Sequence, residues 1–234
     1  MYADQIDNES RREIFIKLCK AEHLKYSQLK PNGMESNHFA YHLKKLKEDG
    51  LIEKSAKNGY YRLAPKGLRL ADVLSYKTEM VRTQPKIIIL LVVTSSDGKN
   101  TLVGVRQRQP HFGKKVLPGG KIHFGETTEQ AASRMIKEFL PNSNSVATHR
   151  GNFYLFFRKG RINVSHIYAH VFSLQLMYSE EENVPDISDN QSNELYWEDL
   201  ESIELNDDWV LGTKEVLDEL KQDAFFEMEL EFDI

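Results

Sequence analysis

Apolar residues recur at helical spacing in the first third of this chain and at strand spacing through much of the rest. Ser10 and Glu13 form a capping-box spacing that predicts a helix with Ile14, Phe15 and Leu18 inward. A short helix over Tyr26 to Lys30 is stopped by Pro31-Asn32-Gly33. A third begins near Ser36, turns Phe39, Leu43 and Leu46 inward at i, i+4 and i+7, and closes at Gly50. Leu51 to Ser55 and Tyr60 to Leu63 read as two strands about Lys57-Asn58-Gly59, because Asn-Gly is a strong hairpin signal. Pro65 suits a first helical turn, and the helix it opens runs through Leu68, Ala71 and Leu74 towards Val81.

Past Thr83-Gln84-Pro85 the pattern changes. Lys86 to Thr94 is a nearly continuous apolar run, a buried strand by length and β-branching. A Ser95-Ser96-Asp97-Gly98 turn leads into a second strand, Asn100 to Arg108, on which Arg106 and Arg108 share one face. Leu117 to Asn142 reads as a strand end, a glycine-containing loop and an amphipathic helix. Thr127 and Gln130 cap that helix, Ala131, Ala132, Met135, Ile136, Phe139 and Leu140 face inward, and Pro141 ends it. Gly151 to Arg158 and Val164 to Leu176 are strands, 179–192 is an acidic loop, Asn193 to Asp199 is a late strand, and Val210 to Gln222 is a closing helix. In the tail, Phe226, Met228, Leu230, Phe232 and Ile234 alternate with acids, so a strand with one apolar face is predicted. It is either an edge strand of the domain's own sheet or a strand exchanged in a dimer.

Charge supports a division into two pieces. Residues 1–84 carry 16 Lys+Arg against 11 Asp+Glu, and residues 85–234 carry 15 against 24. A basic piece of net +5 is thus joined to an acidic one of net −9, which directs a polyanion partner to the first piece. One cysteine, Cys19 on an apolar helix face, excludes a disulfide framework or a Cys-rich zinc site. Ile87 to Val93 is too short to span a bilayer and no secretory signal is evident, so a soluble, cytoplasmic protein is expected.

The stretch LPGGKIHFGETTEQAASRMIKEFLPN resembles the Nudix box, G-x5-E-x7-R-E-U-x-E-E-x-G-U, with U a bulky apolar residue. Gly120, Glu126, Arg134, Ile136 and Glu138 fall on it at the right spacings. The resemblance implies a Nudix-like α/β/α sandwich with a mixed sheet, in a superfamily that mostly hydrolyses nucleoside diphosphate derivatives. It also implies glutamates that hold magnesium against a diphosphate. Here two of those positions are Met135 and Phe139, and the late glycine is Pro141. Met135 and Phe139 are four apart and can touch on one helix face. Glu138 remains as a single catalytic or magnesium-binding carboxylate, too few for the family's usual hydrolysis. Glu126 and Arg134 commonly pair in the family to fix loop against helix. Arg106, Arg108, Gly119, Gly120, Lys121, Phe124, Glu126 and Arg134 form the expected ligand site, with arginines for phosphate and Phe124 or Phe112 for a base.

The segment FAYHLKKLKEDGLIEK followed by NGYYRLAPKG resembles the winged helix-turn-helix domains of ArsR-like regulators, over roughly residues 8–80. In that family the third helix enters the major groove of double-stranded DNA and the wing touches backbone or minor groove. The corresponding residues are Ser36, Asn37, His38, Tyr41, His42, Lys44 and Lys45, with Lys57 and Asn58 at the wing tip. The expected architecture is therefore α+β with two domains, 1–84 and 85–234. The expected function is a dimeric transcriptional regulator whose degenerate Nudix domain senses a nucleotide-diphosphate-type ligand such as ADP-ribose or a nucleotide sugar. The competing readings are a divergent magnesium-dependent pyrophosphohydrolase, using Glu138 with Glu194 or Asp186, and an interaction scaffold that binds neither.

Overall fold

The computed structural model describes residues 6, 8–56, 58–74, 84–177, 195–205, 208–222 and 224–234. The expectations for Lys57, for the helix beyond Leu74 towards Val81, for the 179–192 loop, and for Asp186 and Glu194 lie outside those residues.

Three helices open the chain: α1 (Glu9–Cys19), α2 (Tyr26–Leu29) and α3 (Ser36–Glu48). The cap of α1 is Asn8, not Ser10: its Oδ1 accepts the Arg11 N–H at 3.2 Å, and Ser10 lies inside the first turn. Strands β1 (Ile52–Lys54) and β2 (Tyr61–Leu63) form an antiparallel hairpin in which Ile52 faces Leu63. Helix α4 (Pro65–Val73) follows and ends where Leu74 turns extended. Ile14, Phe15, Leu18, Phe39, Leu43 and Leu46 are buried together with hairpin and α4 residues, so this unit has its own core.

The remainder builds one eight-stranded mixed sheet from β3 (Lys86–Thr94), β4 (Asn100–Val105), β5 (Lys115–Val116), β6 (Gly119–Lys121), β7 (Thr148–Lys159), β8 (Ile162–Gln175), β9 (Leu195–Asp199) and β10 (Phe226–Asp233). The main order is β10-β7-β8-β3-β4-β5, with β6 on β3 and β9 on β4. β10 runs parallel to β7 with Phe226 opposite Gly151, so the alternating tail takes the edge position on its own sheet. Helix α5 (Thr128–Phe139) covers Ile89, Leu91, Val93, Phe172 and Leu174 on one face. Helix α6 (Thr213–Leu220) covers Val92, Phe153, Leu155, Ala169 and Val171 on the other. Leu200–Leu205 forms a short 3-10 helix.

β4 stops at Val105, three residues short of the predicted end. The Arg106 N–H donates to Lys114 O at 2.9 Å, and the Arg106 side chain turns back to donate to Pro110 O at 2.6 Å. The chain leaves the sheet as a loop, so Arg106 and Arg108 do not alternate on a strand. That loop reaches the N-terminal unit: the Gln109 backbone N–H donates to Cys19 O at 2.9 Å and its side chain to Ala21 O at 3.3 Å. A buried Lys86–Asp72 ion pair also joins the sheet to α4. No described helix is long and apolar enough to cross a membrane.

Candidate functional site

Two places concentrate chemistry. The first is the loop–helix 117–139. Thr127 Oγ1 accepts the Gln130 N–H at 3.2 Å while Gln130 Oε1 accepts the Thr127 N–H at 2.9 Å, so the predicted capping box starts α5. The loop is then tied to the helix through one guanidinium. Arg134 Nε donates to Glu126 Oε1 at 2.6 Å, and Nη2 donates to Glu126 Oε2 at 2.9 Å and to Lys121 O at 3.1 Å. The remaining donor, Nη1, reaches Glu138 Oε1 at 3.1 Å. The His123 N–H also donates to Glu126 Oε2 at 2.8 Å. These bonds hold the Glu126 carboxyl at about 2, Arg134 first and His123 second, and push the Arg134 guanidinium up. Lys121, Glu126 and Arg134 are thus brought together, at the end of the strand that carries Gly119 and Gly120. Phe124 stands fully exposed at the tip of the loop.

The helix face that would hold a cation in the resembling family is filled differently here. Met135 is 1% exposed and belongs to the core beneath α5, and Phe139 packs against the same core. A Cβ placed on Gly120 would lie 3.3 Å from Met135 Sδ, so the sulfur occupies the space directly over that glycine. Neither side chain offers oxygen to magnesium, and Glu138 accepts from Arg134. The family's carboxylate set does not fit here. Among the described residues no trio of His, Cys, Asp or Glu is placed to hold one.

The second place is an aromatic part of the sheet beside α5, exposed at Tyr154 and half-buried at Phe156, His166, Tyr168 and His170, and the sequence pattern does not single it out. Phe153, Leu155, Phe157, Ala169 and Val171 face α6, so Tyr154, Phe156, His166, Tyr168 and His170 face the other side. The register sets Tyr154 opposite Tyr168, Phe156 opposite His166, and Ile87 beside Tyr168. Their rings form a continuous pavement: Phe156 to His166 at 4.2 Å, Tyr154 to Tyr168 at 4.5 Å, and Tyr168 to His170 at 5.0 Å between centroids. The Ile122 N–H donates to Ile87 O at 3.5 Å, so the 122–127 loop leaves the sheet beside this pavement. Burial lowers both His166 and His170, partly opposed at His166 by Glu229 and at His170 by Glu129. The alternation in FYLFF and HIYAH was the available signal; which face α5 would leave bare was not written locally.

On the N-terminal unit, Ser36, Asn37, His38, Tyr41 and Lys44 are exposed along α3, while His42 and Lys45 are half-buried. Lys45 Nζ lies 2.9 Å and Lys44 Nζ 3.7 Å from the Glu48 carboxylate, so both cations share one counter-charge. Lys30 Nζ donates to Ser36 Oγ at 2.9 Å. At the hairpin tip Asn58 Oδ1 accepts the Tyr60 N–H at 3.2 Å. Burial, then Arg11 and His38, lower the His42 imidazole.

No curated protein matches the chain at a significant level. Among solved structures it is similar to the NUDIX domain of Shewanella oneidensis NrtR complexed with ADP ribose, at 14% identity over 60% of this chain and 88% of that one, TM-score 0.48. It is also similar to a MutT protein from Bacillus halodurans, at 19% identity over 63% and 90%, TM-score 0.47. A third is a MutT NUDIX hydrolase from Burkholderia pseudomallei, at 23% identity over 58% and 98%, TM-score 0.44. The sequence model of the NUDIX domain matches residues 84–220, from just before β3 to the end of α6. With more than half of its length inside that match, the chain belongs to the NUDIX domain family.

Proposed function

We propose that this chain is a DNA-binding transcriptional regulator whose NUDIX domain binds a nucleotide-diphosphate-type ligand without efficient hydrolysis. The reading rests on Met135: where catalysis by the family's route needs a carboxylate, a thioether is sealed into the core over Gly120. Binding surfaces survive beside it. Gly119, Gly120 and Lys121 suit a diphosphate, and Phe124 with the tyrosine pavement suits a base, whereas Arg106 is turned back onto Pro110 O and Arg108 lies on the loop that runs to the N-terminal unit. Glu126 and Arg134 hold the loop in place for them.

The N-terminal unit is read as a winged helix-turn-helix acting on double-stranded DNA. Three helices, a two-stranded hairpin and the exposed row Asn37, His38, Tyr41 and Lys44 on α3 support that reading. The regulator works as a cytoplasmic homodimer, and ligand acts by favouring one arrangement of its two winged helices over another.

Two measurements test this. Purified protein should bind duplex DNA from upstream of its own gene with an affinity that falls steeply with salt, and ADP-ribose should bind yet remain intact with magnesium or manganese over hours. Turnover at enzymatic rate, abolished by Glu138→Gln, would instead establish the pyrophosphohydrolase reading. Protein that gives no thermal shift with any nucleotide diphosphate and no DNA binding would leave the scaffold reading.

A further inference from the structure

The pavement has an acidic border. β10 lies beside β7 in register, which sets Glu227 opposite Asn152, Glu229 opposite Tyr154 and Glu231 opposite Phe156. All three acids alternate with Phe226, Met228 and Leu230, which pack on the α6 side, so the carboxylates rise on the same face as the rings. Their neighbours use them unequally. Glu231 pairs with Arg158 Nη1 at 2.9 Å, and Glu227 accepts from Asn152 Nδ2 at 3.4 Å. Glu229 has no hydrogen-bond or ion-pair partner among the described residues, and it stands beside Tyr154, which is 43% exposed. A partly exposed aromatic surface, with Tyr154 outermost, edged by an unpaired carboxylate is attractive to one kind of group above others. The π faces present negative potential, the carboxylate adds to it, and both act on a positive charge that can lie flat.

We propose that the exposed ring of Tyr154, backed by the half-buried rings of Tyr168 and His170 and bordered by Glu229, binds a planar heteroaromatic cation carried by a small molecule. The inference rests on the ligand-binding reading of the NUDIX unit and names the class of one end of the ligand: a nucleotide derivative whose second moiety is a flat ring bearing positive charge, rather than a neutral sugar. Charge decides against the alternatives. A phosphate or a second acidic group on this face would meet Glu227 and Glu229, and a neutral ring would gain stacking but leave Glu229 uncompensated. The imidazoles do not compete for the carboxylate at neutral pH, because burial holds His166 and His170 below their ordinary value.

The test uses a phosphate-free probe, so that its failure can be told from failure of the sensor reading. At pH 8 the full-length protein is titrated with N-methylquinolinium, with neutral quinoline, with naphthalene-2-sulfonate and with arginine amide, following the aromatic NMR resonances of Tyr154, Tyr168 and His170. The expected result is binding of N-methylquinolinium about tenfold tighter than quinoline, and no binding of the sulfonate. Glu229→Gln should erase the tenfold difference while leaving quinoline binding unchanged. Tyr154→Leu should weaken both rings, with thermal unfolding confirming that each variant is folded. Equal affinity for quinolinium and quinoline, or a Glu229→Gln variant that still prefers the cation, overturns the proposal. Preference for arginine amide also overturns it, making the face a peptide surface. If ADP-ribose binds and the cation does not, the sensor reading stands and this inference falls.

Discussion

At the scale of single residues, Met135 separates two accounts of this protein. Were position 135 a vestige of an active site, its side chain would be dispensable. In the structure it is core, in contact with Gly120 and grouped with Ile89, Ala132 and Phe172. Met135→Ala should therefore cost about 2–5 kcal/mol, the loss of buried methylenes plus a cavity, measured by urea denaturation. A cost below about 0.5 kcal/mol, the range of surface changes, would return residue 135 to the surface and weaken the sensor reading with it. His111 makes a second prediction. Its ring packs on Phe157 at 4.3 Å between centroids, and burial, helped by Arg106, Lys86 and Lys114, lowers it to about 3. The folded value lies below the unfolded one of 6.5, so the native state refuses a proton that the unfolded chain accepts. The stability this contributes is complete above pH 6.5 and drains away as pH falls towards 3, at no more than about 1.4 kcal/mol per pH unit. His111→Asn removes the titration and suits the left-handed backbone there (φ 71°), so its stability should fall less steeply over that window. An unchanged slope would mean that the ring is not held neutral.

At the scale of elements, close approaches of backbone carry more than propensity does. Helix α4 lies so near the hairpin that a Cβ on Gly67 would fall 2.0 Å from Leu51 O, a backbone atom that cannot step aside alone. Gly67→Ala should destabilise the N-terminal unit by about 1–3 kcal/mol, although alanine is the better helix former. An increase in melting temperature would show that α4 is not seated against Leu51. Such contacts explain which elements could be read in advance. Helix α5 is specified within itself, by the Thr127–Gln130 box at one end and Pro141 beyond the other, and its predicted start agrees with the structure. The end of β4 is not local. Val105 to Arg108 alternates well enough for a strand, but Gln109 is drawn to Cys19 and Ala21, some ninety residues earlier, and the chain leaves the sheet at Arg106. The aromatic pavement is not legible in advance for a related reason. Alternation in β7 and β8 separates two faces, but only the placement of α5 decides where one of them meets solvent.

At the scale of the whole molecule, the separation of charge between the two pieces matters more than the net value of −4. A surplus of five positive charges over residues 1–84 is modest, and on α3 two of the cations share one acid. Glu48 draws in Lys45 and Lys44 at the C-terminal end of α3, lowering its own carboxyl and raising Lys45 as it does so. If α3 meets DNA as proposed, both lysines must leave Glu48, or share it, before they can reach phosphate. On the proposed DNA-binding reading, Glu48→Gln releases them and removes a like charge from the approaching backbone. Affinity for upstream duplex DNA should then rise, and the fall of log K with log salt should steepen by about one to two contacts' worth, at roughly 0.9 per phosphate neutralised. Competition by a scrambled duplex should improve in parallel, because phosphate contacts position the protein without reading sequence. Asn37→Ala, by contrast, should cost discrimination between duplexes and leave the salt slope alone. If Glu48→Gln leaves both affinity and salt slope unchanged in fluorescence anisotropy, α3 does not face a polyanion, and the basic surplus of the N-terminal unit belongs to some other task.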